Sequence, residues 1–424
     1  MKRRTSVNVG NLFLSLSDAL DLAGSKLVQH QQRTAFITLE IGELAGLSEE
    51  NLEQIFFAAL LHDIGAFSVE EKFALLSSES VNTEPHCIRG EILIKEFDWL
   101  KHASELVRCH HRTWEEWQKP IDVPIVLGSQ IIALADCLER KIDRQLYILH
   151  QNKQLISYIT SLSGKNFHPD VVNSFVSAAS REEFWLDLVS PRLYSYLLHN
   201  GPSRRLDIDI ENISSISKIF ANIIDFRSRF TATHSSGVAA CAVSLSKIFG
   251  LTEGEIVMME VAGNLHDLGK LYVPNQILEK PDKLDVKEFE VIKSHTYFTY
   301  SVLNTIGGLQ QIAEWGAYHH ERLDGSGYPF RCKADELSTG ARIVMVADMF
   351  TAMAEDRPYR KGMTKEEIVR IISDFSSRGL LDKKIVNILL DNYEDVRSYV
   401  KDKQSIAQQF YENQFAFLEQ GRIK

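Results

Sequence analysis

Long apolar runs are missing from this 424-residue sequence. A helix that crosses a bilayer needs roughly 18 or more consecutive apolar residues, and no such stretch occurs. The basic residues 1–4 lead into residues 7–12, which are too few and too polar to form the apolar core of a signal peptide. We therefore expect a cytoplasmic protein that does not interact with membranes.

Cysteine is also scarce. The five cysteines are odd in number and lack the C-x-x-C spacing of redox and zinc motifs, which argues against a disulfide framework. Three of them adjoin a histidine or an aspartate, but we interpret them as small apolar residues that fill space between helices rather than as redox groups. These three are Cys87, Cys109 and Cys137.

Positive charge is not concentrated anywhere in the sequence. The chain has 47 lysines and arginines against 57 aspartates and glutamates, for a formal net charge of −10. A protein that coats long nucleic acid needs a continuous basic surface to neutralise phosphates, so the composition argues against that class of partner. A small anionic substrate held by a few cationic side chains remains compatible with it.

Strand-like alternation is scarce as well, whereas apolar residues recur at helical spacing in both halves. This pattern predicts an all-α fold. The most polar stretch that contains turn-forming residues, 199–205, predicts a boundary near residue 205 and therefore two domains, 1–205 and 206–424. One apolar stripe of the second domain consists of Ile216, Ile219, Phe220, Ile223 and Ile224.

The sequence does contain a repeated order of histidines and aspartates. The first histidine precedes a His-Asp pair by 32 residues in each half, and the third histidine precedes a His-His pair by 24. Ten of the fourteen histidines take part in this repeat. The first half contains His30, His62, Asp63, His86, His110, His111 and Asp136, and the second contains His234, His266, Asp267, His295, His319, His320 and Asp348.

Histidine nitrogen and carboxylate oxygen are ligands for first-row divalent metal ions. The second set contains no thiolate, which favours Fe or Mn, with Ni or Co as alternatives, over structural zinc. Five histidines and two aspartates exceed the needs of one ion. We therefore predict a binuclear centre in which the carboxylate of the His-Asp pair bridges two ions about 3.5–4 Å apart.

The second half of the chain, from about residue 207 to 400, contains an ordered set of motifs. They are His266-Asp267-Leu268-Gly269-Lys270, the pair His319-His320 followed by Gly325-Ser326-Gly327-Tyr328-Pro329, and Asp356-Arg357-Pro358-Tyr359-Arg360 after Asp348. In these motifs it resembles the HD-GYP phosphodiesterases, a subgroup of the HD superfamily of metal-dependent phosphohydrolases. The chain thus looks like two tandem HD-type helical domains.

The resemblance implies a phosphodiesterase that opens cyclic di-GMP, 3′,3′-cyclic GMP-AMP or both to a linear dinucleotide or mononucleotide, through attack of a metal-bridging hydroxide. By the pattern of that family, two ions would share one carboxylate. One ion would bind His234, His266, Asp267 and Asp348, and the other Asp267, His295, His319 and His320.

Five further side chains have implied roles. Lys270, one helical turn after the histidine of the His-Asp pair, can stabilise the phosphate or protonate the leaving oxygen, although a solvated surface lysine is the alternative. Arg357 and Arg360 can clamp the second phosphate. Tyr328, in a tight loop that Gly325 and Gly327 permit, can stack on or hydrogen-bond the nucleotide. Glu321 is expected to orient a histidine imidazole.

One departure from the family limits the expected number of ions. Some members hold a third metal ion through a glutamate one helical turn before the first histidine. Phe230 occupies that position in this sequence. Two ions are therefore expected in the second half.

The first half resembles a diverged HD domain. It keeps every ligand type and could form its own metal site. However, Ala66 stands at the place of the lysine, and neither a Gly-Tyr-Pro loop nor an Arg-Pro-Tyr-Arg segment follows. Three interpretations stay open for this half: a second enzyme, a sensor of a ligand or metal, and a structural partner of the catalytic half.

Two other functions compete for the whole chain. A non-catalytic receptor for cyclic dinucleotides would not need Lys270 or a complete ligand set. An HD-type nucleotide phosphohydrolase would not need the Gly-Tyr-Pro loop or the two arginines. The sequence does not decide between the two cyclic dinucleotides, and it leaves a homodimer open.

Overall fold

The computed structural model describes residues 6–21, 28–77, 82–202, 207–226, 233–280, 282–355 and 361–415. These residues are mostly helical, and their one sheet pairs two short strands, β1 (Ser6–Asn8) and β2 (Asp207–Asp209). The all-α fold predicted from the apolar spacing is confirmed. None of the helices in these ranges is long and apolar enough to cross a membrane.

The chain divides into two compact units. The N-terminal unit comprises Asn8–Ala66 and Glu70–Asp207, and the C-terminal unit comprises Met1–Val7, Phe67–Val69 and Ile208–Lys424. The predicted boundary near residue 205 falls in residues 203–206, which lie outside the described residues.

In the N-terminal unit, α2 packs against α3, α7 and α9. Its apolar residues Phe36, Ile37 and Ile41 are buried, so this helix forms the middle of the unit's core. The helices are α1 (Val9–Asp21), α2 (His30–Leu44), α3 (Glu49–Leu61), α4 (Val69–Ser77), α5 (Glu84–Lys95), α6 (Lys101–Cys109), α7 (Pro124–Lys141), α8 (Ile148–Ser161), α9 (Pro169–Ala179), α10 (Glu182–Leu188) and α11 (Leu193–Asn200).

In the C-terminal unit, α13 takes the same central place and packs against α14, α18 and α21. The apolar stripe of α12 is buried, as its helical spacing requires. The helices are α12 (Ile210–Phe226), α13 (His234–Phe249), α14 (Glu253–Leu265), α15 (Asn275–Leu278), α16 (Val286–Asn304), α17 (Gln310–Ala317), α18 (Thr339–Ala354), α19 (Lys365–Ser377), α20 (Lys383–Asp391) and α21 (Tyr393–Gln414).

Each His-Asp pair follows a helix of 13 residues, α3 in one unit and α14 in the other. Thr252 and Glu255 form a capping box that fixes the start of α14, and the helix ends at Leu265, immediately before His266. A fixed start and a fixed length therefore determine where the His-Asp pair lies.

A glycine two residues after each His-Asp pair lets the chain pass close to a neighbouring helix. A Cβ atom at Gly269 would lie 1.9 Å from the carbonyl oxygen of His295, and one at Gly65 would lie 2.1 Å from that of His86. No side chain fits at such distances. The two glycines thus bring the His-Asp pair against the helix that carries the third histidine of the repeat.

Candidate metal centres

The seven residues predicted as ligands in the C-terminal unit come from five places in the chain and converge on one point. His234 begins α13, His266 and Asp267 follow α14, and His295 lies in α16. His319 and His320 belong to the short 3-10 helix Tyr318–His320, and Asp348 lies in α18. All are buried except His320, whose side chain is 32% exposed.

Asp267 lies between two groups of imidazoles. Its Oδ2 is 3.1 Å from Nε2 of His266 and 3.9 Å from Nε2 of His234. Its Oδ1 is 3.3 Å from Nε2 of His295 and 3.8 Å from Nε2 of His319. Each carboxylate oxygen therefore faces its own set of nitrogens, which is the arrangement that a bridging ligand between two ions requires.

The two remaining predicted ligands complete these groups. Asp348 Oδ1 lies 3.2 Å from Nε2 of His234, and Asp348 Oδ2 lies 3.7 Å from Nδ1 of His320. On the other side, Nε2 of His295 and Nε2 of His319 are 3.2 Å apart. Two imidazole nitrogens this close, both buried, need a proton or a cation between them.

The hydrogen bonds around the imidazoles suit metal binding. Nδ1 of His266, His295 and His319 lies 2.7, 2.5 and 2.7 Å from the carbonyl oxygen three residues earlier, so Nδ1 donates and Nε2 keeps its lone pair. Within the described residues, neither Nε2 of His266 nor Oδ1 of Asp267 has a hydrogen-bond partner. A buried nitrogen and a buried carboxylate oxygen without partners fit a site for a cation.

Three of the candidate ligands have the protonation states that metal binding needs. Burial and the positive charge of neighbouring imidazoles lower the pKa of His319 well below its usual value, and burial lowers the pKa of His320 to about 3. Although burial raises it, the charges of His266 and Lys270 hold the pKa of Asp267 well below its usual range. His319 and His320 are thus neutral and Asp267 is ionised at neutral pH.

A carboxylate that the sequence analysis missed orients the first histidine of each unit. Nδ1 of His234 lies 3.0 Å from Glu355, and Nδ1 of His30 lies 2.6 Å from Glu139. Although burial lowers it, the charge of Glu355 raises the pKa of His234 to about 10. Glu139 comes three residues after Asp136, and Glu355 comes seven residues after Asp348. Both spacings place the glutamate on the same helix face as the aspartate, and this periodicity is the sequence signal that could have identified the two glutamates.

A second missed residue fixes the helix on which the first histidine lies. Asp225 accepts hydrogen bonds from the backbone N–H and the hydroxyl of Ser235, at 2.9 and 2.7 Å. In the N-terminal unit, Asp21 accepts from the backbone N–H of Gln31 at 2.9 Å. Each aspartate lies nine residues before the first histidine. The repeat therefore includes a helix-start contact as well as the ligand types.

Lys270 and Tyr328 adjoin the C-terminal cluster. Nζ of Lys270 donates to Oδ2 of Asp267 at 2.5 Å, and the Lys270 side chain is 25% exposed. The ring of Tyr328 lies 5.0 Å from that of His320. Both side chains are therefore placed beside the candidate ligands, where a bound phosphodiester could meet them.

Glu321 differs from the sequence prediction, which has it orient an imidazole. Its carboxylate accepts hydrogen bonds from the backbone N–H groups of Phe330, Arg331 and Cys332, at 2.7, 3.1 and 3.1 Å. The chain turns to an extended conformation at Glu321, which directs the side chain to the loop after Tyr328. The residue holds the Gly-Tyr-Pro loop rather than a ligand.

Three predicted features lie outside the described residues. Arg357 and Arg360 fall in residues 356–360, and Phe230 falls in residues 227–232. The expected phosphate clamp and the expected limit of two ions therefore stay predictions.

The N-terminal unit brings its own predicted set together in a similar arrangement. Nε2 of His30 lies 3.5 Å from Asp136, Nε2 of His62 lies 3.5 Å from Oδ2 of Asp63, and Nε2 of His86 lies 3.6 Å from Oδ1 of Asp63. The imidazoles also contact one another, as in the C-terminal unit. The Nε2 atoms of His86 and His110 are 3.3 Å apart, and the ring centroids of His110 and His111 are 4.1 Å apart.

The N-terminal set also differs from the C-terminal one by a cation. Arg140 donates to Oδ2 of Asp136 at 2.9 Å, and its charge contributes to a pKa of Asp136 far below the usual range despite burial. Ala352 stands four residues after Asp348, where Arg140 stands four after Asp136. A guanidinium on this carboxylate opposes a metal ion beside it.

Comparisons with known proteins agree with this duplication. Two family models, both described as HD domain, match residues 27–141 and 218–385. The chain is 30% identical to 3′3′-cGAMP-specific phosphodiesterase 1 of Vibrio cholerae serotype O1 over 401 residues, which cover 91% of this chain and 92% of that protein. It is 26% identical to 3′3′-cGAMP-specific phosphodiesterase 3 of the same organism, and this match covers 91% of this chain and 96% of that protein.

A solved structure has the same fold. The crystal structure of the V. cholerae cyclic GMP-AMP specific phosphodiesterase V-cGAP3 matches with a TM-score of 0.64 and 23% sequence identity, and the match covers 92% of this chain and 98% of that one.

Proposed function

Because the chain belongs to the HD-GYP phosphodiesterases of the HD superfamily, with an additional diverged N-terminal HD domain, we propose that its C-terminal unit hydrolyses a cyclic dinucleotide. The observation that carries this proposal is Asp267, whose two oxygens each face a separate pair of imidazoles at 3.1–3.9 Å. The similarity to 3′3′-cGAMP-specific relatives extends over both units, so 3′,3′-cyclic GMP-AMP is the first substrate to test, followed by cyclic di-GMP.

The candidate ligands would hold two divalent ions, with Fe or Mn preferred because the set offers nitrogen and oxygen but no sulfur. His234, His266 and Asp348 would bind one, His295, His319 and His320 the other, and Asp267 both. Such a pair of ions supplies an activated water and positive charge for the phosphate oxygens. The imidazoles are held ready for this by the backbone carbonyls that accept from their Nδ1 atoms.

Lys270 and Tyr328 act on the substrate in this proposal. The ammonium of Lys270 lies against Asp267, beside the place where the ions would hold the phosphate, and there it can stabilise charge or give a proton to the leaving 3′-oxygen. The Tyr328 ring, beside His320, offers a flat surface for a base. Arg357 and Arg360 would hold the second phosphate.

The experiment is hydrolysis by the purified full chain, loaded anaerobically with Fe or Mn, of 3′,3′-cyclic GMP-AMP, cyclic di-GMP and a deoxynucleoside triphosphate. We expect a cyclic dinucleotide to be opened and the triphosphate to stay intact. Asp267→Asn should abolish the reaction, whereas Asp374→Asn, at an exposed carboxylate of the same unit, should not change it. Metal-loaded protein that binds a cyclic dinucleotide without consuming it would favour the receptor instead, and turnover of the triphosphate alone would favour a nucleotide phosphohydrolase.

A matched substitution in the N-terminal unit separates the sensor from the other two interpretations of that unit. Asp63→Asn changes the residue that corresponds to Asp267. An altered rate in the C-terminal site would favour a sensor. An unchanged rate leaves a structural role or an unrelated reaction.

A further inference from the structure

A buried thiol lies among three imidazoles of the N-terminal unit. Sγ of Cys87 is 3.7 Å from Nε2 of His86 and 3.8 Å from Nδ1 of His110. One ligand atom from each of His86, Cys87, His110 and His111 falls within 4.8 Å of the other three. The cysteine interpreted from the sequence as a helix filler therefore belongs to a cluster of four side chains that can bind metal.

Two distances within this cluster fit tetrahedral coordination. With Zn–N bonds of about 2.0–2.1 Å and a Zn–S bond of about 2.3 Å, tetrahedral ligand atoms lie about 3.3–3.6 Å apart. Nε2 of His86 is 3.3 Å from Nε2 of His110 and 3.7 Å from Sγ of Cys87. Nε2 is the nitrogen of His110 that would bind the ion, because Nδ1 donates to the carbonyl of Val107 at 2.7 Å.

A buried nitrogen of the same cluster lacks a partner. Within the described residues, Nε2 of His111 makes no hydrogen bond although the atom is inaccessible to solvent. A buried imidazole nitrogen without a partner is costly unless a proton or a metal ion occupies it.

The C-terminal unit has no thiol at the matching place. Thr296 follows His295 as Cys87 follows His86, and its hydroxyl donates to the carbonyl of Lys293 at 2.9 Å. The corresponding C-terminal group of candidate ligands is His295, His319 and His320 alone. The two units therefore differ by one soft sulfur ligand at equivalent positions.

The cluster has an entry path. A cavity of about 650 Å³ in the N-terminal unit is lined by Cys87 and His111, together with Arg108, Cys109 and Arg112. An ion can therefore reach the thiol from solvent. On the other side of the unit's histidine set, Arg140 opposes a cation beside Asp136.

We propose that the N-terminal unit binds one zinc ion through His86, Cys87, His110 and His111. A thiolate with three imidazoles is a zinc-type ligand set, and four protein ligands close the tetrahedral shell, which is typical of a structural rather than a catalytic site. The two halves of the chain thus select different metals, zinc in the first and Fe or Mn in the second. The proposal is independent of the reaction in the C-terminal unit.

Cobalt(II) reports the thiolate directly, because a cobalt–thiolate bond gives a charge-transfer absorption band in the near ultraviolet that nitrogen and oxygen ligands do not give. The full chain, freed of metal with a chelator, is titrated with Co²⁺ and its spectrum recorded. We expect the band to grow until the sulfur-containing site is filled, at one thiolate-bound ion per chain, and to disappear when Zn²⁺ is added in excess over all the candidate sites. Metal content after dialysis is measured by mass spectrometry.

Variants assign the band to one cysteine. Cys87→Thr, which copies the C-terminal unit, and Cys87→Ala should both lose the band and weaken zinc binding at least tenfold. Cys109→Thr, at a cysteine that lines the same cavity outside the cluster, should keep both. Circular dichroism shows which variants are folded. Absence of the band from the wild-type chain, or its survival in a folded Cys87 variant, overturns the proposal.

Discussion

One carboxylate holds the loop that carries Tyr328, and Glu321→Gln tests its contribution. One oxygen of Glu321 accepts from Phe330 and Arg331, and the other accepts from Cys332. Glutamine keeps the first oxygen but turns an NH₂ group toward the N–H of Cys332, and it removes the negative charge from all three bonds. A hydrogen bond to a charged group contributes about 1.5–3 kcal/mol, and an unsatisfied buried donor costs about 1–3 kcal/mol.

The loop is partly exposed to solvent, which weakens both effects. We therefore expect the substitution to destabilise the ordered loop by about 1–3 kcal/mol in total. That energy corresponds to an opening equilibrium increased by about 5- to 150-fold. Hydrogen–deuterium exchange of the peptide that spans residues 322–333 measures it. The metal content should not change, because in the described part of the chain the Glu321 carboxylate bonds to backbone N–H groups of the loop and to no candidate ligand.

The same loop offers a matched control. The carboxylate of Glu336 accepts one hydrogen bond, from the backbone N–H of Lys333 at 2.9 Å, and its residue is exposed. Glu336→Gln should change exchange by less than about 0.5 kcal/mol. If Glu321→Gln exchanges no faster than Glu336→Gln, the carboxylate does not hold the loop, and our reasoning fails.

Four further predictions concern the candidate sites. Gly269→Ala should destabilise the chain by about 3 kcal/mol, because the added Cβ would collide with a backbone carbonyl oxygen. Gly254→Ala is the control and should not destabilise it, because a Cβ there meets open space. Urea unfolding measures the free energy of unfolding of both variants. Burial raises the pKa of Asp225 to about 7, whereas an aspartate in an unfolded chain has a pKa of roughly 3.9. The protonated carboxyl therefore makes its whole contribution to the free energy of unfolding below about pH 4, and that contribution is lost as the pH rises through 7. Metal-free Asp225→Asn should therefore lose less stability than wild type between pH 5 and pH 8, and equal losses would contradict this. Arg140→Ala frees Asp136 from a cation and should increase the Mn²⁺ bound per chain in equilibrium dialysis; unchanged binding would show that the guanidinium does not exclude an ion. Lys270→Met should lower kcat by about 10²- to 10⁴-fold, and the metal content should not change. A kcat equal to that of the wild type would show that Lys270 has no catalytic role.

The repeat in the sequence was enough to predict which side chains come together in each unit, because the same order of ligand types recurs and two of its spacings are equal. It could not identify Glu355 and Glu139, since these residues do the same task at unequal distances from Asp348 and Asp136. Nor could it place Glu321, whose direction depends on how the loop returns. Nor could it show that Sγ of Cys87 lies 3.8 Å from Nδ1 of His110, because His110 follows a different helix.

The candidate ligands His234 and Asp348 are separated by 114 positions in the chain and meet only after α13 and α18 have packed together. An ion that binds both has no counterpart in the unfolded chain, so its binding free energy adds to folding by mass action, about 2.7 kcal/mol when free metal is 100 times the dissociation constant. If the proposed centre binds metal, the supply of that metal would set how long the polypeptide survives proteolysis as well as how fast it turns over substrate. Cells starved of the ion would then lose the enzyme itself, and its substrate would persist until new protein is made.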